Sequence, residues 1–213
     1  MDRGFFEYEA FETVVIAIDA ACGNNIHIHK SVTNFPGTVR YTGRMRILLI
    51  RHGKAEDRGL VSSLSSKKDA LRALTETGRR DMRKAAKGLR KLAPDIDVIM
   101  SSPLVRARET AEIVAKVFGV NEIAEQPLLS PGSDAAALLT ALQRYADGST
   151  VALVGHEPDM GLLAALLLVG KETELLVFKK GACALIEFNA KPAAGRGKLS
   201  WLLQPGQLRK LDR

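Results

Sequence analysis

Three short stretches carry side chains suited to one kind of chemistry. Ile47 to Ile50 runs straight into Arg51-His52-Gly53. Val98-Ile99-Met100 continues through Ser101-Ser102-Pro103-Leu104-Val105 to Arg106. Val151 to Val154 ends in Gly155-His156-Glu157. Each apolar run reads as a buried strand, and such a strand has no use for a charge or an imidazole at its tip unless the tip lines a site. Arginine stays charged, and its planar fork grips phosphate oxygens in pairs. A neutral imidazole can attack phosphorus and split one hard displacement into two easier ones. The negative charge on a phosphoryl group in transfer is what nearby arginines stabilise. Gly53 removes a side chain where backbone must pass close to a ligand. Arg51, His52, Arg106 and His156 therefore point to phosphoryl chemistry, provided the fold brings them together.

In an open α/β sheet, ligands bind outside the carboxyl ends of the strands, where all three stretches place their polar residues. The remaining pattern supplies such a sheet. Helical spacing over 77–92 puts Met82, Ala85, Ala86, Leu89 and Leu92 on one face, with Pro94 as the stop. Ser102 as N-cap and Pro103 at the first position open a helix that runs to Phe118 and stops at Gly119. Arg106 lies about one turn into it. A short strand is expected near Ile123. Ser133 or Asp134 caps a helix over 135–145, and another helix spans 160–168. Further strands are expected at 175–178, 182–188 and 199–203, with a mobile hairpin loop from Lys191-Pro192 to Gly197. Residues 54–75 are polar and irregular, as a surface loop would be. Strands alternating with helices imply a three-layer α/β/α sandwich around a mostly parallel central sheet.

Composition excludes several classes. The chain has 213 residues, 46% of them hydrophobic, which suits one medium-sized domain plus an appendage. No uninterrupted apolar stretch approaches the roughly 20 residues of a membrane span. The net charge of +7 is spread along helical segments such as Arg79 to Lys84, which read as solvated faces. Nucleic acid as a partner would call for aromatics among the basic residues. Aromatics are 5% of the chain, and Trp201 lies in a segment that reads as core. Cys22 and Cys183 form no C-x-x-C pair, so a reducing, cytoplasmic compartment is expected. Residues 1–44 lack helical periodicity and read as a poorly structured extension before a domain over 45–213. Met45 is the expected natural start. Acids at Asp2, Glu7, Glu9, Glu12 and Asp19 argue against a signal peptide. His27-Ile28-His29 offers two donors, a poor zinc site, and no metal or cofactor is expected.

Taken in order, Arg51-His52-Gly53, S-S-P-L-V-R-A-R-E-T-A at 101–111 and V-G-H-E-P at 154–158 resemble the histidine phosphatase superfamily, with its phosphoglycerate mutase-like fold. Leu74-Thr75-Glu76-Thr77-Gly78 resembles that family's L-T-x-x-G opening of the first helix. The wording is most similar to the SixA-type phosphohistidine phosphatases. The likeness extends from Met45 to the last strands and leaves out the first 44 residues. It implies that His52 is the nucleophile, that Arg51 and Arg106 grip phosphate, and that His156 hydrogen-bonds the phosphoryl oxygens. Water then hydrolyses the intermediate without a metal. One departure stands out. Many members carry an acid near an L-x-E motif as proton donor, whereas Leu128-Leu129-Ser130 puts Ser130 there. The SixA-type branch lacks that acid as well. A phosphoramidate suits its absence, because the P–N bond is weaker than an ester's and the imidazole can leave already protonated. Asp134 is a weaker acid candidate whose other reading is a helix cap, and Glu157 is a second. Lys54, Glu56 and Asp57 read as loop charges, and Arg108 as a surface residue. The expected substrate is protein phosphohistidine. The alternatives are small phosphate esters, mutase chemistry, and a non-catalytic phosphate-binding module. A mutase needs long enclosing insertions, and the stretches between motifs are short.

Overall fold

A computed structural model of the chain describes residues 15–18, 28–31, 44–57, 69–145 and 148–212. The strands are β1 (Val15–Ile18), β2 (Ile28–Ser31), β3 (Met45–Arg51), β4 (Val98–Ser101), β5 (Ile123–Glu125), β6 (Thr150–Gly155), β7 (Cys183–Phe188) and β8 (Lys198–Leu203). The helices are α1 (Glu76–Arg90), α2 (Val105–Phe118), α3 (Ala135–Leu142), α4 (Asp159–Val169) and α5 (Pro205–Leu211), with a 3-10 turn at Pro127–Leu129. β1 and β2 pair antiparallel. The other six strands form one sheet in the order β5-β4-β6-β3-β7-β8. β5, β4, β6 and β3 run parallel to one another. β7 runs against both β3 and β8. In register, Arg51 faces Gly155 and Ser101 faces Val154. The three polar tips therefore leave the sheet side by side at one rim.

Alternation along the strands builds two cores. Met45, Ile47 and Leu49 of β3 join Val151 and Leu153 of β6 beneath α3 and α4. Leu48 and Ile50 join Ala152 and Val154 beneath α1, α2 and α5. Helices on both faces explain why these strands read as unbroken apolar runs. α1 buries Met82, Ala85, Ala86 and Leu89, the face its spacing predicts. Its N-cap is Thr75, whose hydroxyl accepts the Gly78 N–H at 2.9 Å.

Several expectations are corrected. α1 ends at Arg90, and Leu92 lies beyond it, 47% exposed. Approach to Pro94 already disfavours helix there. Leu175 to Phe178 is not a strand. β7 occupies the edge of β3, so this segment instead crosses the start of α4, where the Phe178 N–H donates to Glu157 at 2.8 Å. α2 begins at Val105, after a turn in which the Leu104 N–H donates to the Ser102 hydroxyl. The loop after β7 is tied down, since the Gly195 and Gly197 N–H groups donate to the Leu166 and Leu167 carbonyls. Trp201 is only partly buried against the core. α5 went unpredicted because seven residues show too little period to read. His27 and Cys22 lie outside the described residues. Among those described, no helix is long and apolar enough to cross a membrane.

Candidate active site

Backbone hydrogen bonds anchor the rim. The His52 N–H donates to the Gly155 carbonyl and the Ser102 N–H to that of Val154, each at 3.0 Å. The Gly181 N–H is shared between the Arg51 and His52 carbonyls at 3.1 Å. The Gly53 N–H donates to the Thr110 hydroxyl at 3.1 Å, and that hydroxyl donates to the Arg106 carbonyl at 2.7 Å. This chain couples the tip of β3 to the first turns of α2. Gly53 also has a packing reason to be glycine, because a Cβ there would lie 2.6 Å from Met82 Cγ.

His52 is 7% exposed, and its Nδ1 lies 2.7 Å from the Gly53 carbonyl oxygen. A carbonyl can only accept, so the partner assigns the proton to Nδ1. On the other side of the ring, Arg106 Nε–H donates to His52 Nε2 at 3.3 Å. Both contacts leave the lone pair on Nε2. Burial lowers the His52 pKa to about 4, with the Gly53 bond opposing and the charges of Arg106, Arg51 and Lys180 adding to the fall. The His156 ring lies 4.9 Å from the His52 ring, centroid to centroid. Its pKa is lowered to about 3, first by burial, then by His52 and Arg106, with Asp69 opposing. Both imidazoles are neutral at pH 7.

Arg106 is 3% exposed although charged. Its guanidinium donates to the Asp69 carbonyl at 2.8 Å and to the Asp69 carboxylate at 3.1 Å. That carboxylate also accepts from Arg72 Nε at 2.9 Å. Arg51 donates to the Phe178 carbonyl. Its pKa is lowered by burial, with Glu157 opposing. Arg51 Nε and His156 Nδ1 are buried with no hydrogen-bond partner among the described residues. His156 Nε2 lies 2.9 Å from Ser102 Oγ.

The four side chains singled out in the sequence thus share one rim. Of the acid candidates, Glu157 lies near enough for its charge to act on Arg51, but its carboxylate is taken up by backbone donors, the Gly161 and Phe178 N–H groups. Asp134 accepts from Ala136 and Ala137 as the N-cap of α3. The Ser130 N–H donates to the Pro127 carbonyl within the 3-10 turn. Lys54, Glu56 and Asp57 are exposed, and Arg108 pairs with Glu112 and Glu125 on the surface. Sequence reasoning missed Asp69, Ser102 and Thr110 as site residues. Asp69 carries no local signal in a polar loop, and Ser102 reads as an ordinary cap.

A family model for the histidine phosphatase superfamily (branch 1) matches residues 47–130. The chain is 34% identical over 142 residues to an uncharacterized protein of Picosynechococcus sp., spanning 64% of this chain and 81% of that one. It is 27% identical over 168 residues to the phosphohistidine phosphatase SixA of Escherichia coli, covering 78% of this chain and 97% of the relative. Among solved structures, it is similar to the protein histidine phosphatase SixA complexed with tungstate (TM-score 0.64, 27% identity, 77% of this chain and 99% of that one). The fold is also that of a phosphoglycerate mutase from Plasmodium falciparum (TM-score 0.52, 16% identity, 78% and 93% coverage).

Proposed function

Because the chain belongs to the histidine phosphatase superfamily, we propose that it removes phosphoryl groups through a phosphohistidine intermediate on His52, and that its substrate is protein phosphohistidine. The observation that carries this reading is the state of His52. A buried neutral ring is held with its proton on Nδ1 and its lone pair on Nε2, beside a buried arginine and a second imidazole. In the first step the Nε2 lone pair forms a bond to phosphorus. The bond to the leaving group breaks, and its electron pair departs with that group. Water then attacks the phosphorus, the N–P bond breaks, and its electrons return to Nε2. Orthophosphate is released. Arg51, Arg106 and His156 hold the phosphoryl oxygens throughout. Two guanidiniums supply the positive charge that a metal would otherwise provide, so the reaction is metal-independent.

The substrate class follows from the leaving group. Glu157 and Asp134, the residues considered for proton donation, are occupied elsewhere, and Ser130 stands where other members carry an acid. An imidazole that arrives protonated needs no donor. The likeness to SixA, which spans nearly all of that relative, supports the same class. The test compares turnover on a phosphohistidine-bearing carrier protein with turnover on a panel of small phosphate esters. The expected result is preference for the carrier, with His52→Ala inactive on both. Higher kcat/KM on esters would instead make the chain a phosphomonoesterase. Phosphate binding without turnover of any substrate would leave a binding module.

A further inference from the structure

We infer that Ser102 is a positioning residue that holds the proton of His156 on Nδ1, so that this nitrogen acts as a donor inside the site. The inference extends the phosphoryl-transfer reading and rests on it for the donor's purpose, though not for the proton's location.

Counting donors and acceptors carries the argument. Ser102 is fully buried, and His156 is 2% exposed. The Ser102 oxygen already accepts the Leu104 N–H at 3.3 Å. It also lies 2.9 Å from His156 Nε2, so one of these two groups must donate to the other. Suppose that Nε2 carried the proton. It would donate to the hydroxyl oxygen, and the Ser102 O–H would then need another acceptor in a fully buried position. The Nδ1 lone pair would also remain buried and unmatched, which leaves two unsatisfied groups. Suppose instead that the hydroxyl donates to Nε2. One group is left over, an Nδ1–H buried beside His52 and two guanidiniums. A donor in that position suits a phosphoryl oxygen.

The assignment also has work for Ser102 to do. In water the neutral histidine side chain prefers its proton on Nε2, and the partner of one ring nitrogen decides what the other becomes. With the tautomer reversed, His156 would present a lone pair to an anion. The same logic is visible at His52, where the Gly53 carbonyl sets the opposite ring nitrogen. Two neighbouring imidazoles would thus have matching tautomers and complementary tasks. The His52 Nε2 carries the lone pair for attack, and the His156 Nδ1–H is left as a donor.

The experiment is long-range proton–nitrogen NMR of the whole protein at neutral pH, with the His156 ring signals assigned by a His156→Asn variant. The wild type should show a protonated Nδ1 and an unprotonated Nε2 at His156. Orthovanadate, added as the probe, should move the Nδ1 resonance. Ser102→Ala should lose the strong Nδ1–H bias and lower kcat by about 10- to 100-fold, less than deleting a transition-state donor outright. Ser102→Thr should keep the tautomer. A wild-type His156 with its proton on Nε2 would overturn the inference whether or not either variant folds. An unchanged nitrogen pattern in Ser102→Ala would overturn it too. Failure of the phosphatase reading would look different, as a correct tautomer in a protein that turns over no phosphorylated substrate.

Discussion

His52 and His156 sit among fixed positive charges, and both are buried, so two physical effects hold them neutral. The consequence is measurable as linkage between pH and folding. An unperturbed histidine titrates near about 6.5. The folded rings take up protons only near about 4 for His52 and about 3 for His156. Between those values the unfolded chain binds more protons than the folded one, so stability falls as pH is lowered. The loss approaches about 1.4 kcal/mol per pH unit for each ring well below its unfolded pKa. Denaturant unfolding at pH 7.5, 6.5 and 5.5, above the range where most carboxylates titrate, should show the decline. NMR titration should place neither ring midpoint near 6.5. A flat stability profile with ordinary midpoints would mean that the imidazoles are far better solvated than their burial indicates.

At the scale of elements, the segment after His52 is locked to the start of α1. The Thr75 N–H donates to the Lys54 carbonyl at 2.9 Å. Gly78 passes so close that a Cβ would lie 2.0 Å from the same carbonyl oxygen. That contact is with backbone, which cannot swing aside, so a side chain there must push the helix off the loop that carries the nucleophile. Gly78→Ala should cost about 1–3 kcal/mol of stability through overpacking. It should also lower kcat/KM, because the displaced loop holds His52. Thr75→Ala removes the cap and the hydroxyl's 3.3 Å bond to the Lys54 carbonyl but keeps the backbone approach, so it should cost about 1 kcal/mol with a smaller kinetic effect. Denaturation curves and steady-state kinetics on both variants decide the matter. Equal kinetic losses would mean that the close approach at Gly78 has no special hold on the site.

For the molecule as a whole, the described residues of the two cores and the rim all lie from residue 45 onward. The family match begins at residue 47. We propose that 45–213 is the catalytic domain and that the first 44 residues are an extension dispensable for turnover. A chain beginning at Met45 should fold and keep kcat/KM within about twofold, since no group the mechanism needs is removed. β1 lies beside β8, which gives the test a defined alternative. Loss of folding on truncation would make the β1–β2 hairpin part of the domain.

Most of the order from β3 to β8 was readable because it follows from local properties: runs of apolar residues, a 3.6-residue period, and glycine or proline at the ends. The rim residues were readable for the same reason, since Arg51-His52-Gly53 and Gly155-His156 follow directly on their strands. Other features depended on partners far along the chain. Ser102 meets His156 across 54 residues, and His52 meets Arg106 across the same separation. The seat of the His52 proton, the grip of Asp69 on Arg106, the turn of Glu157 toward Phe178 and the exclusion of Leu175 to Phe178 from the sheet all belong to this second kind. A hydrogen bond or a place at a sheet edge is a property of two segments, and neither segment alone encodes which partner arrives.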